Sequence, residues 1–223
     1  MRTAFAIAAV AGIAAAANGQ VVISEVLGST SGSDWEFIEL VNLGNSDVDL
    51  SGWTVELWDS DAGAQFGTGD GGAPYAFSGI LGAGDATARG NSLAFNGYGA
   101  GNFDGTLQAN AIENSSYTIV LADDLGNVVD AIFVNDGDAG DAANRAGSAV
   151  SVTATIGPDG SFLPAGFYRI DEAGNFGFLN FGTGDLNDGT LEGGTPGSNQ
   201  IIPAPASVAL LGLGGLAATR RRR

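Results

Sequence analysis

The sequence predicts an all-β chain folded as an antiparallel sandwich, and three observations support that prediction. Short apolar runs alternate with a period of two,. Clusters of Gly, Asp and Asn separate those runs, in a chain that carries 37 glycines,. No segment between residues 20 and 200 repeats its apolar residues at helical spacing,.

The elements justify this in order. Val21-Val22-Ile23-Ser24-Glu25-Val26 is a strand-like run. In the run from Glu36 to Val41, Glu36, Ile38 and Leu40 share one face, and Phe37, Glu39 and Val41 share the other,. Trp53, Val55 and Leu57 alternate in the same way, and Gly-rich turns surround Ala76-Phe77 and Ser92-Leu93-Ala94-Phe95. The run from Tyr117 to Leu121, the turn Asp123-Asp124-Leu125-Gly126-Asn127 and the run from Val128 to Val134 form a hairpin signal. Asp and Gly there supply the side-chain caps and positive φ such a turn needs,. Val150 to Thr155 and Phe167 to Ile170 supply two more strands, enough for a sandwich,. Trp53 is expected as a core anchor, whereas Trp35 and Trp58, near turns, are open to a stacking role,. Glu39 and Asn42 are expected to hydrogen-bond backbone at a strand end.

Both ends carry address signals. Arg2 precedes an apolar stretch from Ala4 to Ala17, the layout of a secretory signal peptide over residues 1–19, with cleavage after Ala17 or Gly19,. At the other end, Pro203-Ala204-Pro205 leads into an apolar helix-forming run, Val208 to Thr219, which stops at Arg220-Arg221-Arg222-Arg223. The run prefers hydrocarbon and the four guanidinium groups resist crossing it, so the arginines stay cytoplasmic. The expected organisation is therefore signal peptide 1–19, one sandwich domain 20–199 and a sorting tail 200–223, with Gly193 to Gln200 as a flexible stem,.

Charge narrows the function further. All 25 acidic residues lie from Glu25 to Glu192, against only Arg89, Arg145 and Arg169 in the body, a net −22. Such a surface repels phosphate backbones and anionic lipid, which excludes nucleic acid as a partner. There is no cysteine, so an exported body must be held by its core, by a metal, or by both,.

Val22-Ile23-Ser24-Glu25-Val26, the run from Asp34 to Asn42, and Val48-Asp49-Leu50-Ser51-Gly52-Trp53-Thr54-Val55 together resemble the lamin tail domain of bacterial exported proteins. The hairpin from Tyr117 to Val134 and Thr195-Pro196-Gly197-Ser198-Asn199 follow in the same order. The resemblance implies an immunoglobulin-like sandwich used for attachment and assembly rather than catalysis. The chain departs from a compact example in its long Gly/Asp-rich loops, Ala62 to Ala73 and Asp136 to Gly147. The tail resembles the PEP-CTERM sorting signal, with Ala204 where that signal usually carries Glu. That implies an exosortase-type membrane protease and the secretion machinery as partners. It also implies transient residence in the inner membrane, a cell-surface or extracellular-matrix destination, and exopolysaccharide or other surface proteins as companions.

Chemistry is sparse. With no His, Cys or Lys, a serine such as Ser92 has no ordinary base, so nucleophilic catalysis is excluded,. A glycosidase-like hydrolase needs only two facing carboxylates and stands as one alternative. A calcium-stabilised carbohydrate-binding module is another. Calcium is the cofactor to expect: Asp136, Asp138 and Asp141 concentrate three hard oxygen donors in a Gly-containing loop,. Asp59-Ser60-Asp61, Asp123-Asp124 and Asp185-Leu186-Asn187-Asp188-Gly189 are lesser candidates. The leading expectation is an exported, noncatalytic adhesion or assembly module.

Overall fold

The alternating runs do form strands, because β-branched and aromatic residues fit a pleated surface buried on at least one face. A computed structural model describes residues 21–28, 35–60, 65–66, 74–108, 110–112, 115–158, 164–179 and 194–201. The expected signal peptide, the tail from residue 202, Asp61 and Asp185 to Gly189 lie outside the described residues.

In chain order the strands begin with β1 (Val21–Leu27), β2 (Phe37–Asn42), β3 (Val48–Asp49) and β4 (Thr54–Asp59). Next come β5 (Gln65–Phe66), β6 (Tyr75–Ala76), β7 (Ile80–Leu81) and β8 (Ala86–Gly90). A short helix, α1 (Ser92–Tyr98), and a 3-10 turn (Ala100–Asn102) precede β9 (Gly105–Thr106), β10 (Tyr117–Ala122) and β11 (Val128–Val134). The remaining strands are β12 (Asn144–Arg145), β13 (Ser148–Ala149), β14 (Ala154–Ile156), β15 (Gly166–Arg169) and β16 (Phe176–Leu179).

Two sheets carry the core. The first runs β16-β15-β1-β2-β8-β9, and the second runs β14-β11-β10-β4-β5, with β6 also on β4. Val21, Ile23 and Val26 of β1 and Ile38 and Leu40 of β2 meet Val55, Leu57, Ile119, Leu121 and Ile132 between the sheets. Trp53 packs on the margin of this cluster, as expected of an anchor. The architecture is an all-β sandwich, but two strand pairs are parallel rather than antiparallel: β11 with β14, and β8 with β9.

A second difference is α1, which occupies Ser92 to Tyr98, where no helix was expected. Its cause is local. The Asn91 side chain accepts from Leu93 N and Ala94 N, satisfying orphan donors at the helix start,. The strand expected from Val150 begins only at Ala154.

The sheets are pinned by a buried ion pair. Strand β15 pairs with β1 only over Glu25 to Leu27. At Ile23 the neighbouring position is taken by side chains: Asp130 Oδ2 of β11 accepts from Ile23 N at 3.0 Å, and Arg169 Nε donates to Ile23 O at 3.2 Å. Arg169 and Asp130 meet at 2.9 Å, each only 3 % exposed, and Thr153 Oγ1 donates to the other carboxylate oxygen at 2.5 Å. Both charges are thereby hydrogen-bonded as well as paired, which is what their burial requires.

Removing one partner leaves the other charge buried and alone. Asp130→Ala is expected to lower unfolding free energy by about 3–5 kcal/mol, read as a lower urea midpoint. The apolar double variant Asp130→Leu/Arg169→Met should recover most of that loss.

Candidate functional site

The outer face of the first sheet is built around a break in strand parity. Val21 and Ile23 face the core, yet so does Val26, because the register of β1 against β2 shifts between Ile23 and Glu25. This bulge puts both Ser24 and Glu25 beside Glu39, and Glu25 and Glu39 are register partners on neighbouring strands,. Two carboxyls therefore stand side by side on a face that ordinary alternation would leave open to water.

Water is kept out by a strap, residues 194–201. Thr195 N donates to both oxygens of Glu25 at 3.2 and 3.0 Å, and Thr195 Oγ1 adds a bond to Oε2 at 3.2 Å. Glu39 Oε2 accepts from Gly197 N at 2.7 Å and Ser198 N at 3.1 Å, while Oε1 accepts from Ser24 Oγ at 2.6 Å. Ile201 then packs on Val22 and Val41. Glu25 is 4 % and Glu39 is 2 % exposed. Gly197 is needed on two counts: its φ is +81°, and a Cβ there would stand 2.7 Å from the Asn102 carbonyl oxygen,.

Burial dominates the electrostatics of the pair. Loss of hydration pushes Glu25 up to about 7, against the bonds from Thr195, and the neighbouring Glu39 pushes it the same way,. Glu39 is likewise pushed up to about 7 by burial, opposed by Ser24, Ser198 and Gly197,. Neither glutamate forms an ion pair with an arginine among the described residues: Arg145 pairs with Glu56, Arg169 with Asp130, and Arg89 stands over the Phe77 ring.

A cavity of about 390 Å³ lies against the pair, its lining including Ser24, Glu25, Glu39, Tyr168, Arg169, Thr195 and Gln200, with apolar walls from Leu179 and Ile201. Tyr168 pairs in register with Glu25 and is 39 % exposed. On the far side of the pair, the helix α1 supplies Tyr98, whose ring meets Phe37 edge-on at 5.3 Å.

The expected calcium donors have a different placement. Asp136 Oδ1 accepts from Asp138 N at 3.0 Å and from Ser116 Oγ at 2.9 Å, and these bonds, the first above all, hold its carboxyl below the usual range despite partial burial. The loop brings the Asp141 side chain to that of Asp136, while Asp138 reaches Asp136 through its backbone N–H. No group of three or more His, Cys, Asp or Glu placed to hold a metal occurs among the described residues. Asp123 instead caps its own hairpin turn through Leu125 N and Asn127 N.

The tryptophans near turns are half-buried rather than open platforms. Trp35 meets Tyr98 edge-on at 5.9 Å, and Trp58 Nε1 donates to Glu56. Glu39 and Asn42 do bond backbone, Asn42 through Nδ2 to Ser46, Leu81 and Gly82 carbonyls. The partnership of Glu25 with Glu39 was missed. The one signal for it is the spacing of Val21, Ile23 and Val26, which cannot share a face of an unbroken strand.

Two outcomes follow from this geometry. Gly197→Ala should weaken strap docking by more than about 1 kcal/mol, seen as faster amide exchange at Thr195 to Ser198 with the β10 amides unchanged. The second concerns pH. Both glutamates bind protons more tightly folded than unfolded, so their contribution to stability is full below pH 4.5 and is lost as pH rises through about 7,. The urea midpoint should therefore fall between pH 5 and pH 8, and Glu25→Gln/Glu39→Gln should flatten that fall.

The comparisons with known proteins agree with the architecture. No curated protein sequence matches the chain. The lamin tail domain, an immunoglobulin-like and generally noncatalytic β domain, matches residues 14–136, a span ending at the close of β11 and short of the strap. Because that match covers more than half of the 223 residues, the chain belongs to the lamin tail domain family.

Proposed function

We propose that this chain is an exported, noncatalytic β-sandwich module of the cell surface or extracellular matrix, serving adhesion or assembly. In this reading the tail from residue 200 sorts it through an exosortase-type protease. The observation carrying the noncatalytic part is how the buried carboxylates are used. Glu25 and Glu39 bind the strap, Glu36 accepts from Ala111 N and Ile112 N, Asp130 pairs with Arg169, and Glu56 pairs with Arg145. Each serves architecture, which disfavours a glycosidase-like use of the same groups. The export part is supported by the apolar stretch from Ala4 to Ala17 and by the apolar run ending at Arg220 to Arg223,. Among the described residues, no helix is long and apolar enough to cross a membrane.

A second reading has its own support. Tyr168, exposed beside a cavity that also holds Glu25, Thr195 and Gln200, combines a stacking ring with hydroxyl-binding groups, as a carbohydrate-binding site does,.

Two measurements test these readings. Cell fractionation with mass spectrometry of the mature termini should find the protein outside the cytoplasm, without residues 1–19 and without Arg220 to Arg223. An intact Arg223 on a cytoplasmic protein contradicts the sorting reading. For the second reading, titration of matrix oligosaccharides should give saturable binding that Tyr168→Ala weakens at least tenfold. Equal binding by that variant removes Tyr168 from any sugar site.

A further inference from the structure

Strap 194–201 is a short peptide seated in a built recognition site, and the geometry says what controls its seating. Its hold on the sheet consists of Thr195, Gly197 and Ser198 amides on two carboxyls, the Thr195 hydroxyl, Asn199 Nδ2 on the Gly84 carbonyl, and Ile201 on Val22 and Val41. Most of the polar hold passes through Glu25 and Glu39. We infer that residues 194–201 form a proton-operated latch, closed on the first sheet while Glu25 and Glu39 retain a proton between them and opened when both are ionised, letting out the chain beyond Ile201.

The balance rests on two opposed effects. Backbone N–H donors favour the ionised carboxyls, while exclusion of water and the like charge across the register pair favour the protonated ones. Burial wins at both residues. Opening returns water to both groups, so ionisation favours the open latch and protonation the closed one. The surroundings reinforce this sign. From α1, Tyr98 stands close to Glu25 and is uncharged, its hydroxyl pushed above its ordinary range mainly by burial. From β15, Tyr168 faces Glu25; Arg169 of the same strand lines the cavity too and opposes this sign, but its charge is paired with Asp130. Asp85 and Asp104 line a neighbouring cavity of about 290 Å³ with Gly197, adding negative charge, and Arg89 lies under the influence of Asp104. Ser24 and Thr195 offer only neutral hydroxyls.

Closure has a spatial consequence. Ile201 sits on Val22, one residue into β1, so the closed latch seats Ile201 beside the start of that strand. Opening adds eight residues, up to roughly 26 Å of extended chain, to whatever tethers the sandwich through that tail. It also uncovers Val22 and Val41. This inference does not depend on whether the tail is processed.

Hydrogen exchange on the full chain, corrected for the intrinsic pH dependence of exchange, tests the latch. Protection of the Gly197 and Ser198 amides should fall at least tenfold between pH 5.5 and pH 8.5, while β10 amides keep theirs. Glu25→Gln/Glu39→Gln should hold its protection constant over that range. Strap protection that stays flat in the unaltered chain overturns the proposal, as does an equal fall in the double variant. Should the double variant fail to fold, carboxyl ¹³C titration of the unaltered chain decides. Midpoints for both glutamates below pH 5.5 refute the latch, and one above pH 6 supports it.

Discussion

Asp130 is the interaction on which the rest of this structure depends. It stands on the second sheet and binds the first at the point where backbone pairing between β1 and β15 gives out. A sandwich without cysteine relies on its apolar interior, and apolar packing is non-directional,. The carboxylate supplies direction: its bonds to Ile23 N, Arg169 and Thr153 leave one relative placement of the two sheets. Arg169 is further held over the Phe176 ring at 4.7 Å, so β16 joins the same arrangement.

A shortage of cations shapes everything else. With three arginines in the body and neither lysine nor histidine, most buried carboxylates have to be satisfied without a counter-charge. The chain uses backbone donors instead. Glu36 gathers the loop at Ala111 and Ile112, and Glu25 with Glu39 gathers the strap. These bonds are sound but do not cancel the lost hydration, which is why burial pushes the register pair up to about 7 whereas hydrogen bonds hold exposed turn carboxyls such as Asp123 and Asp171 below the usual range. The structural role of these carboxyls and the upward push on the register pair thus arise from one cause.

Strand identity was legible where one residue type repeats on one face, as at Ile38 and Leu40 or Ile119 and Leu121. The hairpin between β10 and β11 was legible too, because Asp123 and Gly126 act within five residues of each other. The helix α1 was not, since its seven residues make barely two turns and its signal is one cap, Asn91. The strap was visible only as a flexible stem, because nothing in Thr195 to Asn199 says that its amides have partners 158 to 170 residues earlier.

The sequence by itself determined the class of fold, the acidity of the body, the lack of His, Cys and Lys, and the membership suggested by its β1, β2 and β4 blocks. Those properties depend on composition and on residues near one another in the chain. Only the tertiary structure decided that Glu25 and Glu39 form a pair and that residues 194–201 close over them. Each of these depends on a bulge, a register or a long-range bond, where a shift of one residue reverses the face on which a side chain appears.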